Sequence, residues 1–557
     1  MKTSIPGQMN FQIMQQESGK IKDWLWPTLA FLCFYILAGY SKNLIFHLND
    51  DAYVILMAKS GEFHTPDTHS ILGWFFKTVY SWQADFFWYD FFMVLFYMAA
   101  ISRLFFIFNA YQTLSFSGLL LVISCILVGF LPFQPNFTIL SIFLTIVALL
   151  PYLIGEAKGI SPFTWKNSAL SGLFVIIACL YRSPAVFLTA GTALMIHSAL
   201  SIHERIRKGK GGSKGHFLRP AAYISGIIAF SLFMQGLNVY LYKIYPEYDR
   251  LIDYDKYRKG FVDYFRYSYD QSYQACGISS NDFNLMRHFM GIDSPPLDLE
   301  NLEKLPRVSI FNPRRLMLGF FNTYHCLKQS SALTLLLILL CVSVFSRRSQ
   351  ICAAVSLLVI FLIGIVTCRM HLRVCLPLLA FGTLTALMFI RPELKKHKKW
   401  PLPFIIIIVS IMTLVVAARY QLEKVGQYKH DLKSAARLWK FCESHHIDNL
   451  AYWPLAVTFD NRILFSADPL PASIRLNRIG GWTGSYPRTI KTLQNIYGEN
   501  IYKGLAQPGT FHLVMNHPML APYFETFIKE HGPDKARPTI VFKTNRTILY
   551  LVSSSPG

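Results

Sequence analysis

Long apolar runs recur along this chain, and they constrain its fold more than any other feature. A helix needs roughly 20 apolar residues to cross the hydrocarbon core of a bilayer. Hydropathy in windows of about 19 residues places eleven spans, near residues 25–45, 87–108, 114–132, 136–154, 168–181, 184–202, 220–242, 331–346, 351–368, 374–391 and 402–418. Only 15% of the 557 residues are charged, so lipid must cover much of the apolar surface. The sequence therefore predicts an α-helical polytopic membrane protein of about eleven transmembrane helices.

Two of these runs meet at Tyr181-Arg182-Ser183-Pro184. An internal proline interrupts a helix because it removes a backbone donor. The stretch from 168 to 202 is therefore either one long broken helix or two short spans joined at an Arg-Pro turn. The sequence leaves both interpretations open.

The basic residues indicate how the chain is oriented. Lys and Arg number 54 against 32 acidic residues, a formal net charge of +22. With the N-terminus in the cytoplasm, every basic cluster between spans falls on the cytoplasmic side except Arg369 and Arg373, in agreement with the positive-inside rule. Because the excess of Lys and Arg lies in short segments between apolar runs, the expected partner is membrane lipid and not nucleic acid. We expect a multi-pass protein of the inner (plasma) membrane.

This orientation predicts the domain organisation. Residues 1–23 form a cytoplasmic N-terminus, and residues 24–418 form a transmembrane domain with large outer loops at about 46–86 and 243–330. Residues 419–557 form an outer domain of ordinary soluble composition. Its predicted elements are a helix over 430–444, strands over 449–457 and 510–515, a helix over 518–530 and a hairpin over 539–552. This alternation predicts a small C-terminal α/β extracytoplasmic domain.

Two adjacent carboxylates, Asp50 and Asp51, follow the first predicted span within a few residues. They repel each other and are costly to desolvate there, which suits one of them to act as a general base toward an acceptor hydroxyl. The other could bind a divalent cation such as Mg or Mn, or orient the acceptor. The plainer alternative is that the pair caps the helix that residues 52–59 would form.

The rest of the first outer loop adds candidate substrate-binding residues. His64, Asp67 and His69 lie in it, and Trp74, Trp82 and Trp88 are close by. Aromatic residues at this depth are typical of the membrane interface, and sugar stacking is the less usual alternative. We take His64 and Asp67 as the candidates in this loop.

Basic side chains at the predicted outer face are candidate ligands of a lipid phosphate. Arg182 lies at the mouth of a span, and Arg369, His371 and Arg373 crowd one outer turn against the positive-inside pattern. Phosphate is a good partner for a guanidinium in a poorly solvated position. The alternative for Arg182 is that its side chain extends to the membrane interface. The alternative for the turn at 369–373 is pairing with acids of the outer loops.

The second outer loop is rich in Tyr and Asp and continues to Ser279-Ser280-Asn281-Asp282. Such residues suit carbohydrate hydroxyls as well as an ordinary polar surface, and Asn281 and Asp282 are taken as candidate substrate-binding residues. The ten cysteines show neither zinc-ligand spacing nor a disulfide framework. No Gly-rich phosphate loop or nucleophile elbow is present, which argues against nucleotide-driven chemistry.

These motifs resemble those of a known superfamily. A first span followed by Asp50-Asp51, many further spans and a C-terminal outer domain resemble the GT-C membrane glycosyltransferases. A narrower resemblance is to bacterial multispan proteins with an Asn-Asp-Asp first loop. The segments that carry it are Asn49-Asp50-Asp51, Ser60-Gly61, Thr65-Pro66-Asp67, Leu72-Gly73 and Ser279-Ser280-Asn281-Asp282.

The resemblance implies a GT-C-like fold and transfer of a sugar from a polyprenyl-phosphate donor to an envelope glycan, lipid or protein acceptor at the outer face. It implies that Asp50 or Asp51 is the base and that basic residues at span ends hold the donor phosphate. Members differ in metal use, which leaves the cofactor open. The alternatives are a polysaccharide polymerase or ligase that uses a lipid-pyrophosphate glycan, a transporter or flippase of lipid-linked glycans, and a non-catalytic envelope protein.

Overall fold

The computed structural model describes most of the chain outside the N-terminal region. The described residues are 28, 32, 45–47, 51–59, 61–64, 68–111, 122–123, 125–126, 136–155, 163–208, 215–288, 291–309, 311–389, 402–453, 461–463, 473–480, 486–518, 520–545 and 547–554. The predicted spans at 25–45 and 114–132 lie almost wholly outside these residues. Asp50 and Asp67 also lie outside them.

The described part of the chain is mostly helical. Its first half contains β1 (Ile45–His47), α1 (Asp51–Lys59), α2 (Ser70–Trp82), α3 (Trp88–Tyr111), α4 (Phe137–Gly155), α5 (Trp165–Lys208), α6 (Gly215–Lys243), α7 (Pro246–Val262), α8 (Gln271–Ala275), α9 (Ser280–Arg287) and α10 (Leu299–Glu303). The helices α11 (Pro313–Leu327), α12 (Ser330–Ser343), α13 (Arg347–Thr367), α14 (Leu372–Met388) and α15 (Leu402–Ser444) follow. The C-terminal domain contains β2 (Asn449–Tyr452), β3 (Asn461–Ile463), β4 (Arg475–Arg478), α16 (Pro487–Tyr497), α17 (Ile501–Leu505), β5 (Phe511–Met515), α18 (Ala521–His531), β6 (Ala536–Lys543) and β7 (Thr547–Ser554).

Five described helices are long and apolar enough to cross a membrane, or six if one bent pair counts as a single span. The five lie at Trp88–Phe108, Phe137–Gly155, Trp165–Arg207, Leu218–Lys243 and Arg347–Thr367. The apolar helices predicted near 87–108, 136–154, 220–242 and 351–368 are therefore confirmed. The protein is a helical membrane protein, while the total of eleven spans stays a prediction.

The predicted span at 331–346 corresponds to a short apolar helix and stays a prediction as a separate crossing. Its helix, α12, has 14 residues and is only about 21 Å long at 1.5 Å per residue, too short for a core of about 30 Å. It forms a pair with α11 across a bend of 85°. Nearby, α14 is a shorter apolar helix of 17 residues.

Helix α4 is the centre of the membrane domain. Every residue of α4 is buried inside the protein. By contrast, only 22% of the most apolar stretch of α6 is buried. A central helix must match its neighbours closely because no lipid can fill gaps around it. The N-terminus of α4 is thereby fixed in position, and the candidate site is built beside it.

The predicted C-terminal α/β fold is largely confirmed. A five-stranded sheet has the order β4-β2-β5-β7-β6, with β4, β2 and β5 parallel and β5, β7 and β6 antiparallel. The strand at 510–515, the helix at 518–530 and the hairpin at 539–552 are all present. The helix predicted at 430–444 is the end of α15, which runs without interruption through the expected boundary at 418/419.

The second loop and the C-terminal domain share one hydrophobic core, which the sequence did not predict. Phe283 and Leu297 of the loop belong to the same buried cluster as Trp453, Tyr502 and Phe527 of the domain. The backbone amide of Ile292 donates to the hydroxyl of Tyr502 over 2.8 Å. A short antiparallel pair, β1 with β3, also joins the first loop to the C-terminal domain. The first loop, the second loop and the C-terminal domain therefore form one connected structure where they are described.

Tyr502→Phe tests this shared core. The ring would still fill its space, but the buried amide of Ile292 would lose its acceptor, a cost of about 1–3 kcal/mol. We expect a lower Tm for the detergent-purified full chain. Tyr245→Phe is the control, because Tyr245 is exposed. Equal Tm values for both variants would contradict this account of the loop–domain connection.

Candidate functional site

The site begins with a break in α5 at Arg182. Arg182 has non-helical backbone angles (φ −163°, ψ 90°) inside an otherwise helical stretch, two residues before Pro184. A straight helix of 44 residues would be about 65 Å long, roughly twice the thickness of a bilayer core. The break at Arg182 fits both interpretations of this stretch, one long broken helix and two short spans.

The break frees backbone carbonyls, and neighbouring groups bond to them. Pro184 has no N–H for the carbonyl of Leu180, which instead accepts from the backbone amide of His69 over 2.9 Å. The hydroxyl of Ser141 on α4 lies 2.9 Å from the carbonyl oxygen of Ala178 and 3.0 Å from that of Arg182. Inside a membrane domain such carbonyls must find partners, so the break attaches the first loop and α4 to α5.

A cavity of about 200 Å³ lies beside the break. Its wall combines α5, the start of α2, the C-terminal end of α6, one face of α7 and a residue of the C-terminal domain. The lining residues are Thr68, His69, Arg182, Ser183, Pro184, Gln235, Asn238, Val239, Tyr242, Leu251, Ile252, Asp255, Lys259 and Tyr486. The membrane domain, both loops and the C-terminal domain all contribute to this cavity.

Cationic groups are prominent in the cavity wall. Among the described lining residues, Arg182 and Lys259 are cations and Asp255 is the acid. The ammonium of Lys259 lies 2.6 Å from the Asp255 carboxylate, which also accepts from the Nε of the buried Arg258 over 2.9 Å. Two cations thus share one carboxylate, and Arg182 adds a third cation. A half-enclosed cavity with this charge suits an anion.

Asp51 is close to Arg182 but lies inside the protein. Its carboxylate is 1% exposed and accepts from the hydroxyl of Tyr89 and from the backbone amide of Phe137 over 3.1 Å. Phe137 is the first residue of α4, where helix amides favour a negative charge. The guanidinium of Arg182 lies over the ring of this same Phe137, 5.2 Å from its centre. Asp51 and Arg182 therefore both contact Phe137.

A buried polar chain connects the first loop to α6. The side-chain oxygen of Asn238 accepts from the amide of Ser70 over 2.7 Å and from its hydroxyl over 2.8 Å. Since the hydroxyl of Ser70 donates to Asn238, it accepts from Nδ1 of His64 at 2.9 Å. His69, the N-cap of α2, accepts from the amide of Ile71 and bonds through Nε2 to the carbonyl of Met234 over 3.1 Å. His64 and His69 are thus fixed by their partners.

His64 is enclosed by aromatic rings. The ring centres of Tyr242 and Tyr248 each lie 4.4 Å from its own, and that of Phe63 lies 4.1 Å away. Burial lowers the pKa of His64 to about 4, because a charged imidazole would lose its hydration. Tyr248 in turn donates to the buried carboxylate of Glu62. His64 is therefore a neutral structural neighbour of the cavity and does not line it.

The basic turn at 369–373 lies apart from the cavity lining. Nη1 of Arg369 donates to the carboxylate of Asp263 over 3.1 Å, one helical turn beyond Lys259. His371 is the N-cap of α14 and Arg373 lies in its first turn, both half-buried. The contact of Arg369 matches the alternative of pairing with an outer-loop acid.

Asn281 and Asp282 face the C-terminal domain. The side-chain amide of Asn281 donates to the carbonyl of Tyr523 over 3.0 Å. Asp282 and Ser279 form a capping box at the start of α9, a local arrangement that stabilises a helix N-terminus. Of the predicted substrate-binding residues that the structure describes, only Arg182 lines the cavity.

Several lining residues were not predicted from the sequence. Lys259 and Asp255 belong to a loop that was noted only for its Tyr and Asp content, and Tyr486 lies about 300 residues from Arg182 in sequence. A signal was available for Asp255 and Lys259, because their i, i+4 spacing is typical of a helical ion pair. Nothing local marks Asn238 or Tyr486.

Comparison with known proteins found no matching family model, no matching curated protein and no matching solved structure. The site is therefore interpreted from its own residues.

His64 makes stability depend on pH. Its folded-state pKa of about 4 lies below the ordinary value of 6.5, so the unfolded chain binds the proton more tightly. The stabilising contribution of neutral His64 is complete above pH 6.5 and is lost as the pH falls toward 4. We expect the Tm of the wild-type chain to decrease between about pH 7.5 and about pH 5.

His64→Asn should reduce this decrease, since an asparagine amide can still donate to Ser70 and does not titrate. His69 and His512, whose pKa values burial also lowers, account for part of the dependence that remains. His445→Asn is the control, because His445 is exposed. An identical pH profile for His64→Asn and the wild type would show that His64 does not contribute.

Proposed function

We propose that the protein is a GT-C-like membrane glycosyltransferase that transfers a sugar from a polyprenyl-phosphate donor to a glycan, lipid or protein acceptor at the outer face of the membrane. The observation that carries the proposal is the cavity at the helix break, with Arg182 and Lys259 in its wall. A lipid-linked phosphate needs a cationic recess that opens at the end of membrane helices. Arg182, at the break in α5, has this position and this charge.

The donor phosphate would be bound by Arg182 and Lys259. A guanidinium forms two parallel hydrogen bonds with phosphate oxygens, and an ammonium adds a point charge. The polar side chains of Gln235, Asn238 and Tyr486 around them are suited to sugar hydroxyls. In this proposal the cavity binds the reacting end of the donor, while the polyprenyl chain stays in lipid.

The two adjacent aspartates would have different roles. Asp51 is held by Tyr89 and the amide of Phe137, so we assign it the anchoring of the first loop against α4. The neighbouring Asp50, which lies outside the described residues, is then the candidate base that takes the proton of the acceptor hydroxyl. A divalent cation at this pair stays part of the hypothesis.

The first test concerns Asp50. Envelope glycolipids and glycans are compared by mass spectrometry in cells with the gene, without it, and complemented with Asp50→Asn or the exposed control Asp534→Asn. Removal of a general base typically reduces the rate by about 10²–10⁴-fold. We expect a sugar to be missing without the gene, and to be restored by the control but not by Asp50→Asn.

Expression and membrane insertion of each variant are measured in parallel. Asp51→Asn should reduce the amount of folded protein, because the contacts of a buried carboxylate are weakened. No difference in glycolipids or glycans between the deletion strain and its parent would refute the transferase proposal.

The second test concerns Arg182 and uses binding alone. Polyprenyl phosphate is titrated into the detergent-purified chain and the complex is measured by native mass spectrometry. Loss of a charge-assisted hydrogen bond costs about 1.5–3 kcal/mol, so Arg182→Gln should weaken binding by roughly tenfold or more.

Arg369→Gln should weaken binding less, because Arg369 does not line the cavity. Arg419→Gln, at a side chain that is 81% exposed, is the matched control. If Arg182→Gln binds as tightly as Arg419→Gln, the cavity is not the phosphate site.

A further inference from the structure

A second cluster of chemically active side chains lies where the second loop meets the C-terminal domain. It consists of Asp282 of α9 and of Glu530 and His531 at the end of α18. One ligand atom from each residue lies within 4.8 Å of those from the other two. This cluster is independent of the cavity and of the proposed transfer reaction.

The cluster is built into the fold. Nε2 of His531 lies 2.8 Å from a carboxylate oxygen of Asp282, which is 1% exposed. The ring of His531 is set against Phe527 and Tyr502, with ring centres 5.0 and 5.7 Å apart. The carboxylate of Glu530 accepts from the hydroxyl of Ser279 over 2.9 Å.

The charges of the cluster call for a cation. A buried carboxylate is costly unless a positive charge or a metal balances it. Within the described part of the chain, no Lys or Arg forms an ion pair with Asp282 or Glu530, and Asp282 pairs only with His531. The two carboxylates carry two negative charges, which a divalent ion would balance.

The distances between the ligand atoms of the three side chains also suit a metal ion. Carboxylate oxygens and imidazole nitrogens bind zinc at about 2.0–2.2 Å, which places neighbouring ligand atoms roughly 3–3.5 Å apart. The Asp282–His531 distance is already near this range, and the exposed Glu530 can adjust by a side-chain rotation. Because the set includes an imidazole nitrogen, it favours a transition metal over Mg²⁺ or Ca²⁺.

We propose that Asp282, Glu530 and His531 bind a divalent transition-metal ion of the Zn²⁺ or Mn²⁺ type, with water completing its coordination. The ion would connect the second loop to the C-terminal domain, because its ligands come from both. Binding would stabilise the junction next to Tyr502 without taking part in catalysis. Asp282 would then serve both as helix cap and as metal ligand.

The experiment measures metal binding directly. The full chain is purified in detergent, stripped with EDTA and titrated with ZnCl₂, and separately with MnCl₂ and MgCl₂, while bound metal and Tm are recorded. We expect one equivalent of Zn²⁺ or Mn²⁺ to bind and to raise the Tm, since a ligand that binds the folded state stabilises it. MgCl₂ should have little effect.

His531→Gln and Glu530→Gln should each weaken binding by roughly tenfold or more and reduce the increase in Tm. The matched controls are His445→Gln and Glu499→Gln, which are exposed and belong to the same domain. Glu530 is exposed, so its variant reports on binding even if His531→Gln fails to fold. Absence of stoichiometric binding to the wild type, or an equal number of bound metal ions in Glu530→Gln and the wild type, would overturn the proposal.

Discussion

The broken hydrogen-bond ladder of α5 is the constraint on which the site depends. Pro184 cannot donate to the carbonyl of Leu180, and a membrane interior offers no water to replace that bond. The amide of His69 donates to this carbonyl instead. The first loop is therefore attached next to Arg182, where the backbone is not helical. The residues at the break, Arg182, Ser183 and Pro184, line the cavity together with residues of α6 and α7.

The surrounding contacts extend outward from this break. Ser141 connects it to α4, whose first residue binds the Asp51 carboxylate. Asn238 holds Ser70, and Tyr486 closes the cavity from the C-terminal domain. Each of these bonds satisfies a buried polar group that would otherwise destabilise the fold. The stability of the loops and the shape of the cavity therefore have a common origin.

Much of the fold could be predicted from the sequence because its signals are local. The apolar length of α3, α4, α6 and α13 and the alternation of strands and helices near the C-terminus depend on nearby residues alone. The 85° bend between α11 and α12 was not predicted, because it follows from packing, which hydropathy does not report. The shared core of the second loop and the C-terminal domain was missed for a related reason: its members, such as Phe283 and Trp453, are about 170 residues apart.

By itself, the sequence determined that the chain is a helical membrane protein, that an α/β domain follows, and that Arg182 lies at a helix interruption. These features follow from apolar length, periodicity and proline chemistry, which act over a few residues. Only the tertiary structure decided that Arg182 shares a cavity with Lys259 and Tyr486, that Asp51 is buried against α4, and that Asp282 meets Glu530 and His531. These placements depend on contacts between distant segments. They are fixed because buried polar groups must be satisfied and space must be filled. No local sequence pattern indicates these requirements.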